Sequence, residues 1–498
     1  MVFSSLTFIY VFLPLSLLFH YLSRNTLYRN IALTVFSLIF YAWGEPMWII
    51  LLLISSFYDY FNGILVERFH GTWKAKLFLI LSVVGNLGIL FAYKYGGFIW
   101  ENIDWMLKNF NEWFNTSMET PFEKPTNTLP IGISFYTFQT ISYVVDVYRG
   151  DVKAQRNPLN FLMFVSLFHQ LVAGPIVRYV TIAEQIENRK VDWALISSGV
   201  GRFCFGLFKK VVVANIASEL VDKYMIYTYH GDGNFDLSSY EAWFGIVMFS
   251  VQIYFDFSGY SDMAIGLGRM FGFKYDENFK HPYAAQSVGD FYRRWHISLG
   301  TFLRDYVYFP LGGGRKNRYR NVVIVWLLTG FWHGASWNFV LWGLYFGCFM
   351  VIEKLLEDVL KKTPRIIRHA YTLILIVFSR ALFYFDTLYL SNPHFENSDF
   401  KYESDWSPLF GFIGNLFSSP NAVNPAFYGD LMMHVYFFIL VILLCIPWDE
   451  IFTEENRFRL KVERVYYFAQ PAVNFALLAI ATTLLVNATH NPFIYFRF

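Results

Sequence analysis

The sequence predicts an all-α polytopic membrane protein, and three observations carry that reading. Of 498 residues, 55% are hydrophobic and only 16% charged, against roughly 25% charged in an ordinary soluble domain. Apolar stretches of bilayer-spanning length, about 20 residues each, recur throughout the chain. They do not alternate polar and apolar in short pieces, which excludes an outer-membrane barrel. The aromatic share of 21%, with 56 Phe and 34 Tyr, exceeds what interfacial belts require. It predicts ring-packed helix contacts or an aromatic-lined cavity.

In chain order the candidate spans fall near 6–23, 30–47, 48–66, 76–95, 130–148, 158–177, 197–217, 242–266, 321–353, 366–386, 434–448 and 470–488. The stretch 321–353 is long enough for two shorter pieces. Met1 to Ser5 lacks a basic region and runs straight into an apolar stretch, so no cleavable signal is expected. No repeat of fixed period interrupts the chain, which reads as a single integral domain over 1–498 with a catalytic core at about 129–353. Cys204, Cys348 and Cys445 all lie in apolar segments and imply no disulfide frame.

The loops sort by charge. Residues 67–76 and 149–156 are basic, and between Arg269 and Arg320 ten Lys/Arg face four Asp/Glu. Segments 101–124 and 219–241 carry five acids each and 386–430 carries six. The positive-inside rule puts the first group in the cytoplasm and the second outside. Both 149–156 and Arg189-Lys190 then read as cytoplasmic, yet apolar 158–177 lies between them and ends in Ala173-Gly174-Pro175. A re-entrant hairpin restores the parity. Irregular backbone at membrane depth is tolerated where it lines protein or a wet cavity, so about 11–12 membrane segments are expected, one of them re-entrant.

The chemistry concentrates in 254–343. His333 lies in Thr329-Gly330-Phe331-Trp332-His333-Gly334-Ala335-Ser336-Trp337, with apolar sequence on both sides. An ionisable group there is costly unless it has a partner or a polar cavity, and imidazole is well suited to moving a proton near neutral pH. Asp256 and Asp262, six apart on one apolar helix, call for cationic partners such as Arg293, Arg294 or Arg304. Arg293, Arg294, Arg304, Arg315, Lys316, Arg318 and Arg320 form a basic face ahead of His333, suited to a phosphate-bearing donor or to lipid headgroups. Gly312–Gly314 lacks the P-loop spacing and reads as a turn. No His-Glu-x-x-His or paired-Cys pattern is present, so no protein-bound metal is expected. A Gly-x-Ser-x-Gly elbow is missing as well, which argues against a self-contained serine hydrolase. A net charge of +2 gives no sign of nucleic-acid binding.

These motifs resemble the membrane-bound O-acyltransferase (MBOAT) superfamily, and within it the bacterial AlgI-like branch of alginate O-acetylation. The similarity runs from Met1-Val2-Phe3-Ser4-Ser5 through Leu129–Phe135 with Thr137–Thr140, and Gln170–Ile176. It continues in Tyr254–Asp262, His281-Pro282-Tyr283, Asp290–Leu299 and the His333 run, and ends in Asn491–Phe498. The resemblance implies a curved helical assembly around a transmembrane tunnel, with His333 as the signature histidine at its constriction. It implies a second polar position at His296, in Arg-Arg-Trp-His thirty-seven residues upstream. His296 would orient the donor, share the proton or hold His333 in one tautomer. Arg293, Arg294, Trp295, Trp332, Asn338 and Tyr260 are candidate substrate-binding residues, and Trp337 a further cavity wall.

The resemblance further implies a bacterial inner-membrane enzyme that moves an acyl group, acetyl first among them, from a cytoplasmic thioester such as acetyl-CoA towards a polysaccharide hydroxyl outside. No bound cofactor is expected. An extracytoplasmic SGNH-type acetyltransferase would complete delivery, since this chain contains no such domain. His333 would act as general base or accept the acyl group transiently. Two alternatives stay open at this point. One is D-alanyl transfer from a carrier protein to teichoic acid, as in a related branch. The other is a non-enzymatic transporter, disfavoured because the two halves show no inverted repeat.

Overall fold

The computed structural model describes residues 1–125, 129–230, 233–391, 406–452 and 457–487. The closing motif Asn491–Phe498 and much of the acidic stretch 386–430 lie outside them. Among the described residues the chain is helical, with only isolated bridges in place of strands.

Among the described residues five helices are long and apolar enough to cross a membrane: Ile49–Arg68, Trp73–Phe114, Trp337–Leu355, Arg365–Phe385 and Phe468–Val486. Pro425–Met433 and Val435–Cys445, bent by 59°, make a sixth if taken as one span. Other expected spans are also helical but shorter, more polar or interrupted. Segment 158–177 becomes Pro158–Ser166 and Phe168–Leu171 around a break at Leu167, and neither piece crosses by itself. The stretch 321–353 becomes a helical hairpin, Arg318–His333 and Trp337–Leu355. The two shorter pieces that the length of 321–353 allowed are thus what forms, and His333 ends the first of them at the turn.

The buried spine of the fold is Ser239–Met270, of 32 residues, or about 48 Å at 1.5 Å per residue. Ser238 and Glu241 start it with a capping box, satisfying two otherwise unpaired backbone donors. Helix Trp193–Phe208 lies antiparallel against it along a seam of small residues. A Cβ on Gly199 would come 2.7 Å from the Gly266 carbonyl oxygen, and one on Gly206 would come 2.6 Å from that of Gly259. Small residues let two backbones meet, the usual basis of helix association in lipid.

The ion pairs of Asp256 and Asp262 lie on this same seam. Asp256 pairs with Lys210 at 2.9 Å, both side chains only 2% exposed. Asp262 pairs with Arg202 at 2.6 Å and Lys209 at 2.7 Å. The predicted partners Arg293, Arg294 and Arg304 are thus replaced by cations from the helix and π-helical turn that face the spine. The carboxylates are structural, as their spacing suggested.

The two ends of the spine gather the loops that charge had sorted. At the Met270 end, Arg156 pairs with Glu67, Arg178 with Asp305 at 2.9 Å, and Arg149 donates to the Asp305 carbonyl at 2.9 Å. At the Ser239 end, Lys223 pairs with Asp430 at 2.5 Å, and Glu241 accepts from the Asn424 amide at 3.2 Å. Two hydrophobic cores flank the molecule's middle. One contains Leu299, Phe302, Leu303 and Trp332; the other contains Trp295, Trp326, Phe339 and Trp342. Their junction holds the candidate site.

Candidate active site

His333 is the last residue of its helix and is 4% exposed. The hairpin places it by close backbone packing, since a Cβ on Gly330 would lie 3.1 Å from both Cα and N of Gly343. Aromatic rings enclose the imidazole: Trp342 with centroids 5.1 Å away, Phe383 at 5.3 Å and Phe339 at 6.3 Å. Lys94 and Arg380 are among the groups near enough to act on it electrostatically, and such cations favour negative charge developing on a reacting oxygen or sulfur.

His296 arrives from a short irregular passage. Phe279 and Trp295 form an antiparallel bridge, the Lys280 amide donates to the Arg294 carbonyl at 2.9 Å, and the Ile297 amide donates to the Asn278 carbonyl at 3.0 Å. His296 itself takes φ +47°, ψ +53°, a left-handed conformation uncommon for a residue with a Cβ and frequent at functional sites. The Oδ1 of Asn278, itself 1% exposed, accepts from His296 Nδ1 at 3.1 Å and from Ser298 Oγ at 2.8 Å. An amide oxygen only accepts, so Nδ1 carries the hydrogen and the lone pair of the neutral ring sits on Nε2. That Nε2 is buried and has no hydrogen-bond partner among the described residues.

Both histidines line one cavity of about 290 Å³. Trp295, Trp326 and Trp342 give it aromatic walls; Arg293 and Arg304, with side chains 74% and 54% exposed, stand at its mouth on the basic face. The volume is about twice the ~150 Å³ of a cavity that admits one benzene, room for a short acyl thioester beside a hydroxyl. Among the described residues no cluster of three His, Cys, Asp or Glu could hold a metal.

The remaining predicted site residues scatter. Arg294 does not line the cavity; its guanidinium is held by Asp290 at 3.2 Å and Glu450 at 2.5 Å. Trp332 packs behind the histidines, with its ring centroid 5.8 Å from that of His296 and 5.8 Å from that of Phe138. Tyr260 stacks on Phe3 at 4.6 Å inside the first core, and neither Asn338 nor Tyr260 reaches the cavity wall. Gly312–Gly314 is a turn, and the Asn321 side-chain amide donates to the carbonyls of Leu311, Gly313 and Lys316 around it.

Sequence reasoning missed three residues. Asn278 fixes the His296 tautomer but reads as loop polarity, eighteen positions from its target. Arg380, 1% exposed, lies over the Trp295 ring at 4.7 Å. Lys94 donates to the carbonyls of Trp332 at 2.5 Å and His333 at 3.4 Å. A lone cation inside an apolar span is by itself a functional signal, and both Lys94 and Arg380 carried it.

Comparison with known proteins gives this geometry its context. The family model described as "MBOAT, membrane-bound O-acyltransferase family" matches residues 63–387. The chain is 40% identical to the "probable alginate O-acetylase AlgI" of Pseudomonas putida over 396 residues, covering 78% of this chain and 79% of that one. It is 34% identical to the peptidoglycan O-acetyltransferase of Helicobacter pylori, covering 73% and 72%. It is 27% identical to the teichoic acid D-alanyltransferase of Bacillus subtilis, covering 68% and 87%. The matched region contains both histidines and the whole cavity wall, and the chain belongs to the membrane-bound O-acyltransferase family.

Proposed function

We propose that this O-acyltransferase moves an acetyl group from a thioester, with acetyl-CoA as the donor, to a hydroxyl bound for an extracytoplasmic polysaccharide of the alginate type. The observation that carries the reading is the pairing of His333 and His296 on the wall of one short-acyl-sized cavity whose mouth lies on the basic face. Similarity to acetylases of alginate and peptidoglycan supports acetyl as the group and a polysaccharide as its destination. In the reaction, the acceptor oxygen bonds to the thioester carbonyl carbon and the carbon–sulfur bond breaks. His333 takes the hydroxyl proton and returns it to the departing sulfur, so an ester and a thiol leave the site. His296, with its lone pair on Nε2, shares or relays that proton. The charge of Arg380, among the groups that act on His333, stabilises the oxyanion, and the aromatic walls exclude the water that would hydrolyse the thioester.

The enzyme sits in the bacterial inner membrane, with the basic face in the cytoplasm. An SGNH-type acetyltransferase outside passes the group to the polymer. The test uses the purified protein, alone and with that partner, supplied with radiolabelled acetyl-CoA or with a D-alanyl carrier-protein thioester. Labelled acetyl should reach polymer hydroxyls in the wild type, and His333→Ala should lower the rate by about 10²–10⁴-fold, the usual worth of a general base. A folded His333→Ala protein with wild-type turnover would overturn the role of His333. Transfer from the D-alanyl carrier in place of acetyl-CoA would overturn the donor.

A further inference from the structure

We propose that the segment Phe91–Asn102 is a clamp that sets the position of His333, with Lys94 as its central positioning residue. The inference rests on the reading of His333 as the reacting base and extends it to a part of the chain remote in sequence.

The clamp begins with a problem at the end of the Arg318–His333 helix. The last carbonyls of any helix lack intrahelical partners, and at membrane depth water is not there to supply them. Many helices solve this with a left-handed glycine whose amide turns back to them. Here Gly334 is extended, at φ −167°, ψ +162°, and among the described residues no backbone amide donates to the carbonyls of Phe331, Trp332 or His333. Side chains from another helix do so. Tyr95 Oη donates to the Phe331 carbonyl at 2.7 Å, and Lys94 Nζ donates to those of Trp332 and His333 at 2.5 and 3.4 Å.

Two neighbouring residues reach one helix end because they sit in a π-helical turn, Phe91–Tyr95, between Trp73–Leu90 and Gly96–Phe114. Such wide turns recur at functional sites. The contacts extend along one helical stripe at Phe91, Lys94, Tyr95, Phe98 and Asn102. The Tyr95 ring stacks on Phe331 at 4.2 Å with 6° between planes, and Phe98 meets Trp337 at 5.7 Å. Asn102 Oδ1 accepts from Trp337 Nε1 at 2.9 Å. The stripe thus grips both sides of the turn that carries His333.

Lys94 holds this turn rather than reacting. Its ammonium lies within hydrogen-bond reach of the two carbonyls and of Ser134 Oγ, 3.5 Å away, so three acceptors match its three hydrogens. A cation at a helix C-terminus also opposes the negative end of the helix dipole.

The test compares Lys94→Met, Lys94→Arg, Tyr95→Phe and His333→Ala in the purified protein, with acetyl-CoA as donor. A displacement near 1 Å at a reacting group costs about 10²-fold. Lys94→Met should therefore lower kcat by about that factor while KM for acetyl-CoA and the melting temperature hold, and Lys94→Arg should restore most of the rate. Tyr95→Phe removes one hydroxyl and should cost several-fold in kcat. If His333→Ala is inactive while Lys94→Met turns over at the wild-type rate, the clamp is overturned and the role of His333 stands. If His333→Ala is active, the underlying reading has failed instead. Should Lys94→Met not fold, Tyr95→Phe decides: a fall in kcat at constant KM supports the clamp, and an unchanged kcat overturns it.

Discussion

Replacing Gly330 by Ala should disable the enzyme without touching any group that reacts. The added Cβ would lie 3.1 Å from both Cα and N of Gly343 and closer still to the Phe339 carbonyl oxygen. Nonbonded carbons rest about 3.5–4.0 Å apart, so the shortfall against Gly343 Cα is about 0.4–0.9 Å, and it is greater against Phe339. Backbone atoms form both sides of the contact, so no side chain can rotate away and the two helices must part by about 1 Å. His333 sits three residues further along the same helix and moves with it. Overpacking of this kind costs about 1–3 kcal/mol of stability, and a 1 Å displacement at the reacting group costs about 10²-fold in rate. The assay is single-turnover acetyl transfer by detergent-purified protein, beside a thermal melt. Gly88→Ala is the control, because nothing lies within 4 Å of its added Cβ. A Gly330→Ala enzyme with the rate of the Gly88→Ala control would refute the claim that hairpin packing sets the position of His333.

Other expectations follow from the same structure. His296→Asn should keep more activity than His296→Ala, because an amide still offers a donor and an acceptor; equal rates in both variants and the wild type would reduce His296 to a packing residue. Asp256→Ala should lower stability by about 3–5 kcal/mol by stripping the carboxylate from buried Lys210, whereas Asp256→Leu with Lys210→Met should recover most of it; melting temperatures in detergent report both. Cysteines placed at Asn317 and Ala422, with Cys204, Cys348 and Cys445 removed, should be labelled from opposite sides of intact spheroplasts or inverted vesicles. Labelling of both from one side would contradict the assignment of the two ends of the spine to opposite faces.

The sequence displayed whatever depends on composition and local pattern. Span positions followed from apolar length, and the two loop sets from charge. His333 stood out as an ionisable group in an apolar run, and His296 through the family resemblance of its Arg-Arg-Trp-His motif. What stayed hidden depends on which helix faces which. Asp256 and Asp262 announced a need for cations, yet their partners Arg202, Lys209 and Lys210 lie farther away in sequence than Arg293 and Arg294, which seemed nearer to the chemistry. Arg293 and Arg294 are adjacent, but helical spacing sends the first to the cavity mouth and the second to Glu450. The length of 321–353 allowed two pieces, but the place of the break after His333 was concealed, since Gly334-Ala335-Ser336 is too short and too small to interrupt an apolar run. Ser336 nevertheless caps the next helix with a bond from the Phe339 amide at 3.5 Å, a serine start signal within otherwise uniform sequence.

Biogenesis inherits a constraint from the glycine seam and the charges along it. Helix Ser239–Met270 carries two buried carboxylates, and the facing segment carries Arg202, Lys209 and Lys210 as their partners. Each such charge opposes entry of a lone helix into lipid by about 2.5–3.5 kcal/mol at its centre. Helix Trp193–Phe208 is too short to cross a membrane alone, and Ser239–Met270 is too polar. Entering lipid as a pair, with their opposite charges neutralised, the two segments cost less than either would alone, so insertion of one is energetically coupled to the presence of the other. A longer linker between residues 226 and 239 should weaken that coupling and lower the yield of inserted protein.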